Sequence, residues 1–139
     1  MPLPFKSNLG TRQAIKGAGM VDRKEINWKS LRIRPDTRRF LEIVASSSHE
    51  DFVEAVILFG SEAKESATLT SDVDLALIST RALSISERRS ILKNIPFDLN
   101  CKVDCRIVCL RMGDLYMDRK MHIGTSVKRD GVVIYEKLP

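Results

Sequence analysis

Residues 56–78 read VILFGSEAKESATLTSDVDLALI, two apolar runs separated by a polar segment. An apolar run ends at Gly60 and Ser61, a polar segment follows, and Asp72 and Asp74 then open a second apolar run. Runs rich in β-branched residues and bounded by Gly or Ser are typical of strands. The stretch therefore predicts two strands joined by a polar connection, with two carboxylates at the start of the second strand.

The two carboxylates need a positive partner. Side chains alternate along a strand, so Asp72 and Asp74 share one face and lie about 7 Å apart. Ionised carboxylates are costly to remove from water unless a cation or hydrogen-bond donors meet them. Mg²⁺ takes oxygen ligands and usually keeps substrate phosphates in its shell. The pair therefore favours a metal site with a polyphosphate bound above it.

A phosphate site is predicted at the corner between the two strands. Gly60 permits a tight turn and the close approach of a ligand to the backbone. Ser61 offers a hydroxyl and a backbone N–H group to phosphate oxygens. Gly-Ser alone is a weak signal, and it gains weight because the Asp pair begins the next strand.

Asp104 is a candidate third carboxylate. A third strand is predicted over residues 101–110, in which Asp104 shares the polar face with Lys102 and Arg106. These three residues could form an exposed ladder of ion pairs, which contributes little to stability. The alternative is that Asp104 completes a catalytic set with Asp72 and Asp74, and the presence of that pair favours the second interpretation.

The rest of the pattern predicts alternating helices and strands. In the segment over residues 84–95, Ser84 and Glu87 form a capping-box pattern ahead of an apolar face that includes Ile85 and Ile91. Further helices are predicted over residues 35–48 and much of 113–131, and further strands over 52–60, 72–80 and 132–136. The order α-β-β-α-β-α-β indicates an α+β (mixed α/β) domain with a small mixed β-sheet flanked by helices.

Charge and composition bound the remaining possibilities. Residues 1–39 carry ten Lys and Arg against three Asp and Glu, whereas residues 40–139 carry thirteen against fifteen. The basic segment could bind nucleic acid, but with few aromatic residues it is better interpreted as a solvated tail. We predict a flexible basic extension or leader over residues 1–22, with Met20 as a possible original start, and one domain over 23–139. The chain lacks a secretory signal and the run of about 20 apolar residues that a membrane helix needs, so we expect a cytoplasmic protein without membrane contact.

The three cysteines predict no disulfide. Cys101, Cys105 and Cys109 are spaced by four, which places them on one face of the predicted third strand. We interpret them as reduced, buried thiols and disfavour a metal site, because no histidine or further cysteine lies near them in the sequence.

The spacing around the corner resembles a known signature. Gly60 and Ser61, ten intervening residues, and then Asp72 and Asp74 resemble the motif of the DNA polymerase β-like nucleotidyltransferase superfamily. The small size, LFGS before the loop, SDVDLAL after it and RDGVVIYE near the end resemble the minimal nucleotidyltransferase (MNT) domains, which are often partners of HEPN proteins. The resemblance covers about residues 36–136.

The resemblance implies a polymerase β-like fold and a Mg²⁺-dependent enzyme. Such an enzyme moves a nucleoside monophosphate from ATP or another nucleoside triphosphate to an acceptor hydroxyl, and pyrophosphate leaves. It implies that Asp72, Asp74 and Asp104 bind a pair of Mg²⁺ ions and that Asp104 helps to deprotonate the acceptor. The residues implied to bind the nucleotide are Gly60, Ser61, Lys64 and Ser71.

One departure from the family pattern leaves two functions open. Many members carry Arg-Gly shortly after Gly-Ser, and this chain has Lys64 and Glu65. Lys64 can meet phosphates as a point charge, whereas Glu65 adds a negative charge. The chain is therefore either an active transferase, acting as an antitoxin on a HEPN toxin, or a weak or inactive MNT-like module that neutralises or scaffolds a partner by contact. A second copy of the chain could complete the site.

Overall fold

Four β-strands form one mixed sheet in the part of the chain that the computed structural model describes, residues 26–116 and 123–137. In chain order the strands are β1 (Val53–Phe59), β2 (Val73–Ser79), β3 (Cys105–Arg111) and β4 (Val132–Glu136). Their order across the sheet is β3-β2-β1-β4. Strand β1 is antiparallel to β2 and β4, and β2 is parallel to β3. The predicted α+β class with a small mixed sheet is confirmed, and the extension predicted over residues 1–22 lies outside the described residues.

Short helices connect and cover the strands. They are α1 (Pro35–Ser47), α2 (Gly60–Ala63), α3 (Ile85–Arg89), α4 (Phe97–Lys102) and α5 (Ile123–Asp130). Short 3₁₀ helices occupy Trp28–Ser30, Ser90–Leu92 and Met112–Tyr116. Parallel strands cannot be joined by a tight hairpin, so the chain between β2 and β3 crosses over through α3 and α4. No helix within the described residues is both long enough and apolar enough to cross a membrane.

Both faces of the central strands are buried. One face of β2, with Leu75 and Leu77, packs in a cluster with Phe40 of α1. The other face, with Ala76 and Ile78, packs in a second cluster that also contains residues of β1, α5 and β4. Burial on both sides explains why the sequence of these strands is apolar at almost every position. Because side chains alternate, Asp74 lies on the same face as Ala76, at the rim of the second cluster.

The predicted third strand begins later than expected. Residues 101 and 102 belong to α4, so the expectation that Lys102 shares a strand face with Asp104 and Arg106 is wrong. Helix α4 starts directly after Pro96, with Asp98 in its first turn, and a helix of six residues leaves little periodicity to detect. Asp104 consequently lies one residue before β3 rather than inside it.

The capping box is confirmed, but the apolar face behind it is only partly correct. The Ser84 hydroxyl accepts the N–H of Glu87 at 3.2 Å, and Glu87 Oε1 accepts the N–H of Ser84 at 2.9 Å. Ile91 is fully buried, whereas Ile85 is 69% exposed. The backbone changes from α to 3₁₀ at Ser90, which alters the angular spacing between the two isoleucines.

These two isoleucines make a matched test of the fold. We expect Ile91→Ala to lower the free energy of unfolding by about 2–5 kcal/mol, because it leaves a cavity in the core. We expect Ile85→Ala to change it by less than about 0.5 kcal/mol, because the side chain is in solvent. Urea denaturation of both variants measures the difference, and similar losses would contradict the described packing.

Candidate functional site

The corner at which β1 turns into α2 is the centre of the site. Strand pairing places Phe59 opposite Asp74. Gly60 follows with a φ of +74°, in the left-handed region that residues with a Cβ rarely adopt. A Cβ on Gly60 would lie 3.1 Å from Cγ and 3.3 Å from Cβ of Asp74, and closer still to its carboxylate oxygen Oδ2. Glycine therefore lets the Asp74 carboxylate lie against the corner, and the predicted meeting of the corner and the Asp pair at one rim is confirmed.

Arg106 on β3 bridges the two carboxylates. The parallel register places Arg106 directly beside Asp74. Both Nε and Nη2 of Arg106 lie 2.8 Å from Asp74 Oδ1, and Nε lies 3.5 Å from Asp72 Oδ2. The Asp74 side chain is 12% exposed, against 69% for Arg106. The hydrogen bond to Asp74, together with the negative charges of Asp74 and Asp72, raises the pKa of Arg106 further above its already high value.

Asp104 lies close to this pair in the sheet but is exposed. Its backbone carbonyl accepts the N–H of Val73 at 2.7 Å, and continuing the β2–β3 register by one step places residue 104 beside Asp72. Within residues 26–116 and 123–137, no three Asp, Glu, His or Cys side chains gather closely enough to hold a metal ion. Asp72 and Asp74 thus meet at Arg106, and the role of Asp104 as the third carboxylate stays a prediction.

The remaining predicted residues lie in α2 or in the polar connection that leads from it to β2. The Ser71 hydroxyl accepts the N–H of Thr68 at 2.8 Å, so this side chain stabilises a turn just before β2. Lys64 is exposed at the end of α2. Glu65 has a φ of 58°, and its Oε1 accepts the N–H of Arg32 at 2.6 Å. The Glu65 carboxylate is thus bound to a neighbouring segment, and the nucleotide-binding roles of Ser61, Lys64 and Ser71 stay predictions.

An ion pair that the sequence did not reveal holds α2 in place. Glu62 is fully buried, and its Oε1 accepts hydrogen bonds from Arg34 Nε at 2.7 Å and from the Thr37 hydroxyl at 3.0 Å. Arg34 also donates to the carbonyl oxygens of Leu69 at 3.3 Å and Ser71 at 2.8 Å. Arg34 therefore ties the segment before α1 to both the corner and the loop that leads into β2. A lone glutamate in GSEA indicates a charge there but does not identify its partner.

Cys105 lies beside the Asp pair in the sheet, but its thiol is poorly suited to chemistry there. Burial raises the pKa of the Cys105 thiol to about 12, and the negative charges of Asp74 and Asp72 act in the same direction. A thiol that stays protonated at neutral pH is a poor nucleophile and metal ligand. All three cysteines are free, as predicted. The expected burial on one strand face is wrong, because Cys101 is exposed on α4, whereas Cys105 and Cys109 lie half-buried on β3.

The donor set at the rim fits a magnesium ion that carries other ligands as well. Arg106 reaches both Asp72 and Asp74, so a single positive charge can lie between the two carboxylates. Mg²⁺ is commonly bound through one or two carboxylates and keeps water and phosphate oxygens for the rest of its shell. Asp72 and Asp74 therefore suit Mg²⁺ bound together with a phosphate ligand.

The sequence matches a family model over the segment that contains this site. The model, described as Polymerase beta, Nucleotidyltransferase, matches residues 42–138. The chain belongs to this family. The match includes the corner, the Asp pair and β3, so the mixed sheet with its flanking helices is the polymerase beta-like nucleotidyltransferase fold.

Solved structures with a similar fold are distant in sequence. A toxin-antitoxin structure with AMP-PNP is 15% identical, with 75% of each chain covered and a TM-score of 0.49. A mutant of the toxin-antitoxin MntA-HpeT is 13% identical, with 75% of each chain covered and a TM-score of 0.47. A candidate nucleotidyltransferase from Sulfolobus solfataricus is 19% identical, with 73% of this chain and 85% of that chain covered and a TM-score of 0.44. Scores this low carry no argument about function, and no curated protein matches the chain.

The corner can be tested with a matched pair of glycines. We expect Gly60→Ala to lower the free energy of unfolding by about 2 kcal/mol, because alanine resists the left-handed backbone and displaces the Asp74 carboxylate. A Cβ at Gly113 has no neighbouring atom within 4 Å, so Gly113→Ala should change stability little. Urea denaturation measures both, and a neutral Gly60→Ala would contradict the close contact with Asp74.

The buried ion pair makes a second prediction. Arg34→Ala should lower the free energy of unfolding by about 3–5 kcal/mol, because it leaves the Glu62 carboxylate buried without a cation. The matched control is Arg39→Ala, since the Arg39 side chain is 57% exposed and lies 4.0 Å from Asp98. That control should lose less than about 1 kcal/mol. Urea denaturation measures both losses. Equal losses would show that Arg34 does not stabilise the buried Glu62 carboxylate.

Proposed function

We propose that this protein is a Mg²⁺-dependent nucleotidyltransferase that moves a nucleoside monophosphate from ATP, or another nucleoside triphosphate, to an acceptor hydroxyl. The observation that carries the proposal is the packing of the Asp74 carboxylate against Gly60, with Asp72 beside it, in a member of the polymerase beta family. A carboxylate pair at a glycine corner brings metal-binding oxygens next to a backbone that phosphates can approach.

The proposed reaction exchanges one bond at the α-phosphorus for another. The acceptor oxygen forms a bond to the α-phosphorus, and the bond from that phosphorus to the bridging oxygen breaks, so pyrophosphate leaves with the electron pair. The proton of the acceptor hydroxyl passes to Asp104, which is exposed and therefore accessible to an acceptor. When bound, Mg²⁺ supplies positive charge that stabilises the attacking and the leaving oxygens.

The chain's own residues would bind and orient the nucleotide. Asp72 and Asp74 would hold the metal, and the Gly60–Ser61 corner would receive the terminal phosphates. Lys64, exposed at the end of α2, would reach phosphate oxygens as a point charge. Ser71 would contribute by fixing the turn that leads into β2, through its bond with Thr68.

The acceptor is proposed to be a hydroxyl on a HEPN-type toxin, which would make this protein a cytoplasmic antitoxin. The support for that partner is the resemblance of the Gly-Ser and Asp-any-Asp spacing, and of the small size, to MNT domains. A domain this small would cover only one side of a nucleotide, so the partner or a second copy of this chain would close the other side.

A non-catalytic binding module is the second candidate. It is favoured by the ion pairs of Arg106 with Asp72 and Asp74 and by the absence of a gathered third carboxylate in the described residues. In that case the protein would neutralise its partner by contact, and the Asp pair would serve only to fix Arg106.

Transfer of label from α-labelled ATP tests the proposal. With Mg²⁺ and a HEPN protein encoded beside this chain, the wild type should label that protein, and Asp74→Asn should lower the rate by about 100-fold, because about 3 kcal/mol of charge stabilisation are lost. The matched control is Asp98→Asn, which removes a carboxylate that is 66% exposed and should leave the rate unchanged.

Calorimetry with Mg-ATP separates the two candidates. Binding by the wild type that is lost in Asp74→Asn supports the transferase. Neutralisation of the toxin that survives in Asp74→Asn, without any label transfer, would instead establish the binding module.

A further inference from the structure

Arg106 occupies the position where a metal ion would meet the Asp pair. Its Nε and Nη2 both lie 2.8 Å from a single oxygen, Asp74 Oδ1, and its Nε also lies 3.5 Å from Asp72 Oδ2. The other Asp74 oxygen, Oδ2, faces the backbone of Gly60. Arg106 therefore takes the Asp74 oxygen that points away from the corner.

The difference in exposure between Asp74 and Arg106 favours the replacement of Arg106 by another cation. The Asp74 side chain is 12% exposed, so leaving it without any cation would be costly, whereas that of Arg106 is 69% exposed. Among the described strands, β3 lies at the edge of the sheet, next to β2. Because most of its side chain is already in solvent, Arg106 can rotate away from the carboxylates without disturbing the core, whereas the Asp74 side chain is held at the rim.

We propose that Arg106 is a tethered counter-cation of this site, ion-paired with Asp72 and Asp74 until a divalent cation and a triphosphate displace it together. The proposal rests on the proposed function, because it assumes that the Asp pair binds a metal. It makes Arg106 a positioning residue that lowers the affinity for the free metal ion and makes metal binding depend on nucleotide.

The coupling has a physical basis in the chemistry of the guanidinium group. Once released from the carboxylates, Arg106 can pair with phosphate oxygens, for which its planar fork of donors is well suited. The triphosphate therefore compensates for the ion pairs that the metal breaks. By thermodynamic linkage, metal and nucleotide then each raise the affinity for the other by the same factor.

Mn²⁺ titration of the full chain, with and without ATP, tests this proposal. Without nucleotide, Arg106→Gln should bind Mn²⁺ about fivefold more tightly than the wild type, the upper range for an ion pair with an exposed partner. The factor by which ATP raises Mn²⁺ affinity should be smaller in Arg106→Gln. Arg106→Lys should lie closer to the wild type in both measurements, because it keeps the charge.

Two controls test whether a change in Mn²⁺ affinity is specific to Arg106 and is measured on folded protein. Arg111→Gln removes an exposed arginine at the other end of β3 and should match the wild type in Mn²⁺ affinity. Circular dichroism and the Mg²⁺-induced rise in Tm check that each variant is folded, and that rise should be larger in Arg106→Gln. If the glutamine variant does not fold, Arg106→Met is measured in its place.

The outcomes separate this proposal from the proposed function. Tighter Mn²⁺ binding in Arg106→Gln with a reduced effect of ATP supports the tethered cation. Equal or weaker Mn²⁺ binding in Arg106→Gln, with binding lost in Asp74→Asn, overturns the role of Arg106 and leaves the transferase standing. No Mn²⁺ binding by any variant, even with ATP, overturns both.

Discussion

The Asp74 carboxylate lies where a side chain on residue 60 would have to be, and this contact fixes the geometry of the rim. Antiparallel pairing places Phe59 opposite Asp74, so the end of β1 and the start of β2 must meet at the same edge of the sheet. Gly60 then turns the chain with a left-handed backbone and leaves space for the carboxylate. A shift of one residue in the pairing of β2 with β1 would move the Asp74 side chain to the opposite face of the sheet, away from Gly60.

Two acidic side chains near the corner are buried, and the exposure of their cations suggests different uses. Glu62 is fully buried, and its cation Arg34 is only 25% exposed and donates to backbone carbonyls as well. Removing Arg34 from that position would break several bonds at once, so the pair acts as a fixed support. Asp74 is nearly as buried as Glu62, but its cation Arg106 is mostly in solvent. A buried acid with an exposed cation can exchange that partner at low cost, which is what a ligand site requires.

Local patterns predicted the parts of the fold that local sequence determines. The strand–corner–strand unit and the Ser84–Glu87 capping box could be predicted, because strand composition, glycine and capping spacing act within a few residues. Helix α4 could not, because six residues give too little periodicity. The partner of Arg106 and the burial of Glu62 could not be predicted either. Both depend on contacts more than 20 residues apart in the sequence, 106 with 74 and 62 with 34.

The charge at the rim limits how a nucleotide can bind. Asp72 and Asp74 contribute two negative charges and Arg106 one positive charge, so this cluster carries one net negative charge before Asp104 is counted. A triphosphate is itself strongly anionic, and like charges brought together away from water repel strongly. Nucleotide binding at this corner would therefore require additional positive charge, to which the exposed Lys64 would add one. Under the proposal, a divalent cation held by the carboxylates would offset this repulsion and leave Arg106 free to pair with the phosphates, so cation and nucleotide would be expected to bind together.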